Sequence, residues 1–212
     1  MKFTIATFSS LLTLVASHGI IVNPPARAPG PAFKEACGEQ AYSVASKDPY
    51  GPIQLWQSVM ENPTPACDFS SCKSLKLADS PAPLAWAPGS VVPIQIDIKA
   101  RHTGYAKVEI IDLKTGLAKG KPLFYWEVYA GSTEAPPAAN ETDFSVTIPE
   151  VHGCEKAGDC ALQWWVSAAE TTQTYVSCVD FVQPKKVPGC MDKKGPGCKE
   201  EKPHGPHGPR RE

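Results

Sequence analysis

Apolar and polar residues alternate with period two through much of this chain. Ile94, Ile96 and Ile98 fall on one side while Gln95, Asp97 and Lys99 fall on the other. Phe144, Val146 and Ile148 alternate with Ser145 and Thr147, and Leu162, Trp164 and Val166 with Gln163, Trp165 and Ser167. Val108 and Ile110 interleave with Lys107 and Glu109, and Tyr175 to Val182 is a further β-rich run. Successive side chains of a strand point to opposite faces, so this pattern predicts half-buried strands. Gly and Pro turns such as Lys114-Thr115-Gly116 and Ala87-Pro88-Gly89 separate the runs. No long stretch carries the helical period. Short strands in this number predict an all-β sandwich.

Three regions break the pattern. Residues 23 to 90 are proline-rich, poor in alternation and hold three of the cysteines. They predict long loops pinned by disulfides, with a short helix around Ile53 to Met60. Long ordered loops on a rigid sandwich are where function usually sits. From about Pro184 the composition shifts to Lys, Gly, Pro and His, too little apolar surface to fold unaided. The repeat His204-Gly205-Pro206-His207-Gly208-Pro209 in it reads as a solvated end rather than a metal site. At the other end, Lys2, the apolar run Phe3 to Val15 and the small residues Val15-Ala16-Ser17 have the layout of a secretory signal peptide. The expected division is therefore a signal peptide over 1–17, a β-sandwich domain over 18–183 and a tail over 184–212.

Charge and cysteines narrow the function. The formal net charge of −1 argues against nucleic acid as a partner and is compatible with a neutral polymer. The signal run is too short to span a bilayer, and no later segment approaches the length a membrane helix needs. A secreted, extracellular protein is the expectation. Eight cysteines on that route read as disulfides. The pairings expected are Cys67 with Cys72, Cys154 with Cys160, Cys37 with Cys178 and Cys190 with Cys198. Asn140-Glu141-Thr142 is an N-glycosylation sequon and predicts a surface position.

Cleavage after Ser17 would expose His18 as the mature N-terminus. A terminal histidine carries two nitrogen donors on one residue, its α-amine and its imidazole, and a second imidazole completes a three-nitrogen set. Such sets favour Cu(II). Two readings of His18 stand at this point: a chelating terminus, or an ordinary residue beside a cut site. Outside the tail its possible partners are His102 and His152. His102 follows the Ile94–Ile98 run directly, at a strand end where an imidazole reaches the sandwich edge, and is preferred. His152 precedes Gly153-Cys154 in a loop and reads as solvated.

The opening His18-Gly19-Ile20-Ile21-Val22-Asn23-Pro24-Pro25 resembles a lytic polysaccharide monooxygenase. The match extends through Ala36-Cys37-Gly38, Tyr50-Gly51-Pro52-Ile53, His102-Thr103-Gly104, Asn140-Glu141-Thr142-Asp143-Phe144 and Leu162-Gln163-Trp164. With Gln173-Thr174-Tyr175-Val176-Ser177-Cys178-Val179-Asp180-Phe181, the set is similar to the fungal enzymes of auxiliary activity family 16, from His18 to about Val182. The resemblance implies an immunoglobulin/fibronectin-like β-sandwich that holds one copper ion in a histidine brace. It implies the His18 amine, His18 Nδ1 and the His102 imidazole as metal ligands. Tyr175 then falls at the axial position, and Gln173 matches a glutamine beside the bound oxygen species. On their own these two would read as a core tyrosine and a strand-surface residue. Ser167 and Ala168 stand about where cellulose-active relatives carry a further histidine, which puts a different proton delivery, and more weight on Gln173, into the expectation.

What the resemblance implies of function is oxidative cleavage of cellulose or a related β-glucan. Oxidation at the anomeric carbon would give aldonic acids. An external electron donor, with H2O2 or O2 as co-substrate, would drive it, and a redox partner such as cellobiose dehydrogenase could supply the electrons. A monomer is expected. Tyr42, Tyr50 and Trp56 are the aromatic residues of the loop-rich region considered for sugar stacking, with Trp56 expected to pack inside. The alternative is a non-catalytic histidine-brace protein that acquires copper; Tyr175 in place of an aspartate near the metal, and no anchor, favour the enzyme.

Overall fold

The computed structural model of the chain describes residues 18–131 and 137–184. The expected signal peptide, most of the tail with its histidine repeat, and the Cys190–Cys198 pair lie outside the described residues. In chain order the elements are β1 (His18–Asn23), α1 (Pro31–Cys37), α2 (Glu39–Lys47), α3 (Ile53–Gln57), β2 (Leu84–Ala85), β3 (Val91–Ala100) and β4 (Gly104–Asp112). They continue with β5 (Phe124–Tyr129), α4 (Ala139–Thr142), β6 (Asp143–Thr147), β7 (Cys160–Ala168) and β8 (Gln173–Val182). One sheet has the order β1-β3-β6 and the other β2-β8-β7-β4-β5. Neighbours are antiparallel except β2 and β8. The sandwich expected from the alternation is what forms.

Inward positions of both sheets close one core. Ile94 and Ile96 of β3 join Val108 and Ile110 of β4, Leu162 and Trp164 of β7, and Val179 and Phe181 of β8. Both anticipated turns are present, with Gly116 at φ 70° and Gly89 at φ 85°, where glycine carries no Cβ penalty. Besides the two-residue β2, two strands escape the alternation. β5 reads Phe-Tyr-Trp-Glu-Val-Tyr, nearly continuous in aromatic residues, and β1 is apolar from Ile20 to Val22. Continuous runs give no period to read.

The region 23–90 is more helical than expected. The expected helix is α3, and α1 and α2 form where loops are expected. Their buried faces consist of Phe33, Ala36 and Cys37, and of Ala41 and Ala45. At 7 and 9 residues neither spans enough turns for a pattern to stand out, and alanine signals burial weakly. They enclose a second small core with the fully buried Trp56. A third cluster, Ile53 and Cys72 on Ile111, Ala161, Val176 and Cys178, covers the outer face of β7 and β8. For that reason every residue from Tyr175 to Phe181 is buried.

Disulfide pairing departs from expectation at two of three bridges. Cys154–Cys160 forms as anticipated, but Cys37 pairs with Cys67 and Cys72 with Cys178. The backbone explains the exchange. Thr64 N–H donates to the Ala36 carbonyl at 2.9 Å, which brings Cys67 to the end of α1. Residues 72–74 all take positive φ, in a turn whose Cys72 lies on the outer face of β8.

That turn buries the side-chain amine of a lysine. Lys73 is 1 % exposed; its ammonium donates to the Gly51 carbonyl at 2.7 Å and the Pro49 carbonyl at 3.3 Å, and lies 4.4 Å from the Trp56 ring centre. Burial pushes Lys73 down to about 7, with Asp48 pulling the other way. Between pH 7 and its ordinary 10.5 the unfolded chain therefore holds a proton that the folded chain has released. Stability rises with pH wherever the unfolded state binds more protons. Urea unfolding between pH 7 and 9.5 should show wild type gaining on a Lys73→Met variant as pH rises, and equal pH slopes would refute the lowered proton affinity of this amine.

Candidate metal centre

At one end of the sandwich β3 turns into β4 through Arg101-His102-Thr103. The β1–β3 ladder sets His18 opposite Ala100 and Gly19 opposite Ile98, with a register shift between them. The backbone of His18 is thus held two residues along the facing strand from His102. No comparable coupling reaches His152, which is exposed in the β6–β7 connection. That connection leads into Cys160, paired with Asp112 at the opposite end of β4. The ladder thus sets the backbone of His18 beside the start of the His102 turn and leaves His152 apart.

Two glycines make this corner possible. A Cβ on Gly19 would lie 2.8 Å from Cη2 of Trp164, so β1 is seated directly on the indole. A Cβ on Gly104 would lie 1.9 Å from the Ser167 carbonyl oxygen, so the first residue of β4 presses its backbone onto β7. The glycine of His102-Thr103-Gly104 is therefore needed for close approach, and it fixes where the His102 turn leaves the sheet. Gly104→Ala must move one strand or the other. It is expected to cost about 3 kcal/mol, the upper range for overpacking a close-packed site, and to weaken copper binding with it. Urea unfolding and copper titration check both; wild-type values in both would show that the turn does not depend on this contact.

β8 supplies the floor. Tyr175 is 1 % exposed and pairs with Val166, while Gln173 pairs with Ala168. The Tyr175 hydroxyl donates to Gln173 Oε1. That bond commits the amide oxygen to the phenol and leaves the NH2 end of Gln173 as its donor. From α3, Gln54 brackets Thr174: the Thr174 N–H donates to Gln54 Oε1 at 3.0 Å and Gln54 Nε2 donates to Thr174 Oγ1 at 3.3 Å. Gly19, His102, Tyr129, Ala130, Trp164 and Tyr175 line one small cleft. Ala168, 1 % exposed and opposite Gln173, presents only a methyl group beside it.

On β3, beside this corner, Asp97 gathers two partners. The Tyr50 hydroxyl donates to Asp97 on β3 at 2.9 Å, and Lys99 pairs with the same carboxylate at 2.6 Å. The Lys99 hydrogen bond foremost, with that of Tyr50, holds Asp97 below the usual carboxylate range. Tyr50 and Tyr42 are half-buried, and Trp56 packs inside as expected.

The donor chemistry fits copper. The three described disulfides leave no free thiol among the described residues, and no three His, Cys, Asp or Glu converge there. A set of one terminal amine and two imidazoles is nitrogen-only, which suits Cu(II). Sequence reasoning did not single out Gly19, Gly104, Trp164 or Ala130. Trp164 and Gly104 lie inside motifs that were noticed, but their contacts are long-range. Ala130 carries no sequence signal: it is a non-glycine residue at φ 55°.

Residues 18–181 match the family model described as "Lytic polysaccharide mono-oxygenase, cellulose-degrading". Among curated proteins none matches the chain. Among solved structures, an AA10 lytic polysaccharide monooxygenase from Streptomyces lividans aligns at 16% identity and a TM-score of 0.46, covering 78% of this chain and 99% of that one. A chitin binding domain from Burkholderia pseudomallei aligns at 13% identity and a TM-score of 0.42, covering 79% and 99%. A copper complex of the cellulose-active CelS2 aligns at 13% and 0.42, covering 78% and 98%.

Proposed function

The chain belongs to the lytic polysaccharide mono-oxygenase family, and from that premise we propose that it cleaves cellulose by oxidation at the anomeric carbon, within the fungal auxiliary activity family 16 branch. Membership makes it a copper-dependent monooxygenase acting on polysaccharide. The observation that supports a metal site here is one juxtaposition: the His18 backbone lies across the ladder from Ala100, while Gly19, His102 and Tyr175 line one cleft.

In this reading the His18 amine and ring and the His102 imidazole hold the metal once residues 1–17 have been removed. Bound copper supplies one-electron chemistry that activates H2O2 or O2 and oxidises the glycosidic carbon. The chain's own residues do the rest. Gly104 and Ser167 hold the His102 turn at a fixed height above β7. Tyr175 closes one side of the site with its ring, so that reaction is confined to the solvent-facing side. Gln173, anchored by the phenol, directs its NH2 toward that side, where it hydrogen-bonds oxygen and keeps it oriented. With methyl and hydroxymethyl groups at Ala168 and Ser167, Gln173 takes the polar role that a further histidine has elsewhere. The cleft is small, which suits a substrate presented as a surface rather than a chain threaded into a groove.

The protein works as a secreted monomer whose β-sandwich domain spans residues 18–183, with the sequon asparagine Asn140 exposed on its surface. It receives electrons from an external donor such as cellobiose dehydrogenase. Among the described residues no helix is long and apolar enough to cross a membrane. The test is to incubate copper-loaded protein with cellulose and ascorbate and to search for aldonic-acid oligosaccharides by mass spectrometry. Their appearance supports the enzyme. Tight copper binding without oxidised product on any polysaccharide would favour the copper-acquisition alternative.

A further inference from the structure

We infer that Glu141 is a positioning residue for the proposed copper site, its buried carboxylate holding Ala130 in the strained conformation that walls the cleft. The inference rests on the reading above for what the cleft binds.

Glu141 belongs to the four-residue α4 and is 9 % exposed. A buried carboxylate is costly unless hydrogen bonds replace its water. Its Oε1 accepts from the Ala130 N–H at 3.1 Å and its Oε2 from the Ala138 N–H at 3.2 Å. The Glu141 carbonyl accepts from the Tyr129 hydroxyl at 2.8 Å. One residue thus grips both members of the Tyr129-Ala130 corner. Burial, with the Glu141 charge adding to it, keeps the Tyr129 phenol protonated far above its ordinary range, so the hydroxyl remains a donor.

Ala130 needs such a grip. It is 3 % exposed with φ 55°, a left-handed conformation that L-residues other than glycine avoid. Strained residues persist only where their surroundings over-determine them. The bend is placed where it matters for the site. Tyr129 pairs with Gly104 at the foot of the His102 turn. Its ring packs edge-on against Trp164, centroids 6.0 Å apart, and Trp164 is the seat of Gly19. From Glu141 a continuous line of contacts runs through Tyr129 and Trp164 to the start of β1. Ala130, Tyr129 and Trp164 are also three of the residues that line the cleft with His102 and Tyr175.

The experiment compares wild type, Glu141→Gln, Ala130→Gly and the double variant. The glutamine matches the shape but sets an NH2 against one of the backbone N–H groups, and glycine accepts positive φ without strain. Three readouts are taken: amide exchange at Ala130 in metal-free protein, the Cu(II) electron paramagnetic resonance spectrum, and the melting midpoint. Loss of a hydrogen bond to a charged group should speed Ala130 exchange by roughly 10-fold or more in Glu141→Gln. The same variant should show a changed copper spectrum, and Ala130→Gly should bring the double variant's spectrum back toward wild type. Glu155→Gln, exposed at the far end, should change neither. Should Glu141→Gln not fold, the comparison is made in the Ala130→Gly background. Unchanged Ala130 exchange would overturn the inference, as would faster exchange with an unaltered copper spectrum, which marks a purely structural residue. Failure of wild type itself to bind copper would instead sink the functional reading.

Discussion

His102→Ala is expected to weaken copper binding by at least about 100-fold, since even neighbours that only orient a ligand are worth 10–100-fold. The folded protein should survive the change. His102 is half-buried in a turn and belongs to none of the three apolar clusters. What sets the turn's path is the contact of Gly104 with Ser167, and that remains. Titration calorimetry reads the affinity, and a thermal scan should show a midpoint within about 4 °C of wild type. Unchanged affinity would exclude His102 as a ligand. The companion experiment leaves His102 intact and retains one extra residue before His18. Blocking the α-amine with a peptide bond removes one donor of the three, so affinity should fall as steeply as in His102→Ala. Two independent routes to the same loss would establish a chelate made by both strands.

The second large effect is on stability. Replacing Cys72 and Cys178 by serine opens a bridge spanning 106 residues. The chain-entropy relation assigns such a loop about 4.7 kcal/mol, against about 2 kcal/mol for a loop the size of Cys154–Cys160. A domain's net stability is only about 5–15 kcal/mol, so the long bridge carries much of the margin. The midpoint should fall by roughly 10–20 °C, and the Cys154–Cys160 pair should cost about half as much. Equal losses would show that loop length does not govern here. The bridge also bears on the site, because Cys178 lies three positions from Tyr175 on β8. Cys72 precedes Lys73, whose ammonium grips the loop leading into α3. Opening the bridge therefore loosens the support from which Gln54 brackets Thr174.

Lys73 and Glu141 are two buried polar side chains with different tasks. Lys73 satisfies carbonyls of the loop region and ties it to β8. Glu141 satisfies the amides of Ala130, which lines the cleft, and of Ala138. Each is held by backbone partners, which accounts for polar side chains among apolar neighbours.

Alternation along β3, β4, β6, β7 and β8 was enough to read the sandwich, because the side-chain period of a strand is local and needs no partner to be seen. His18, His102, Gln173 and Tyr175 are proposed for a related reason: they sit in short motifs whose order along the chain is itself the signal. The three-dimensional structure alone decided that Cys37 meets Cys67 and Cys72 meets Cys178, that Gly104 must touch Ser167, that Trp164 seats Gly19, and that Ala130 bends under Glu141. α1 and α2 belong with these, since their small buried faces acquire meaning only against Trp56 and Leu75. Each of these features is a contact between segments far apart in the chain, and sequence spacing carries no record of which distant surfaces close packing will bring within reach.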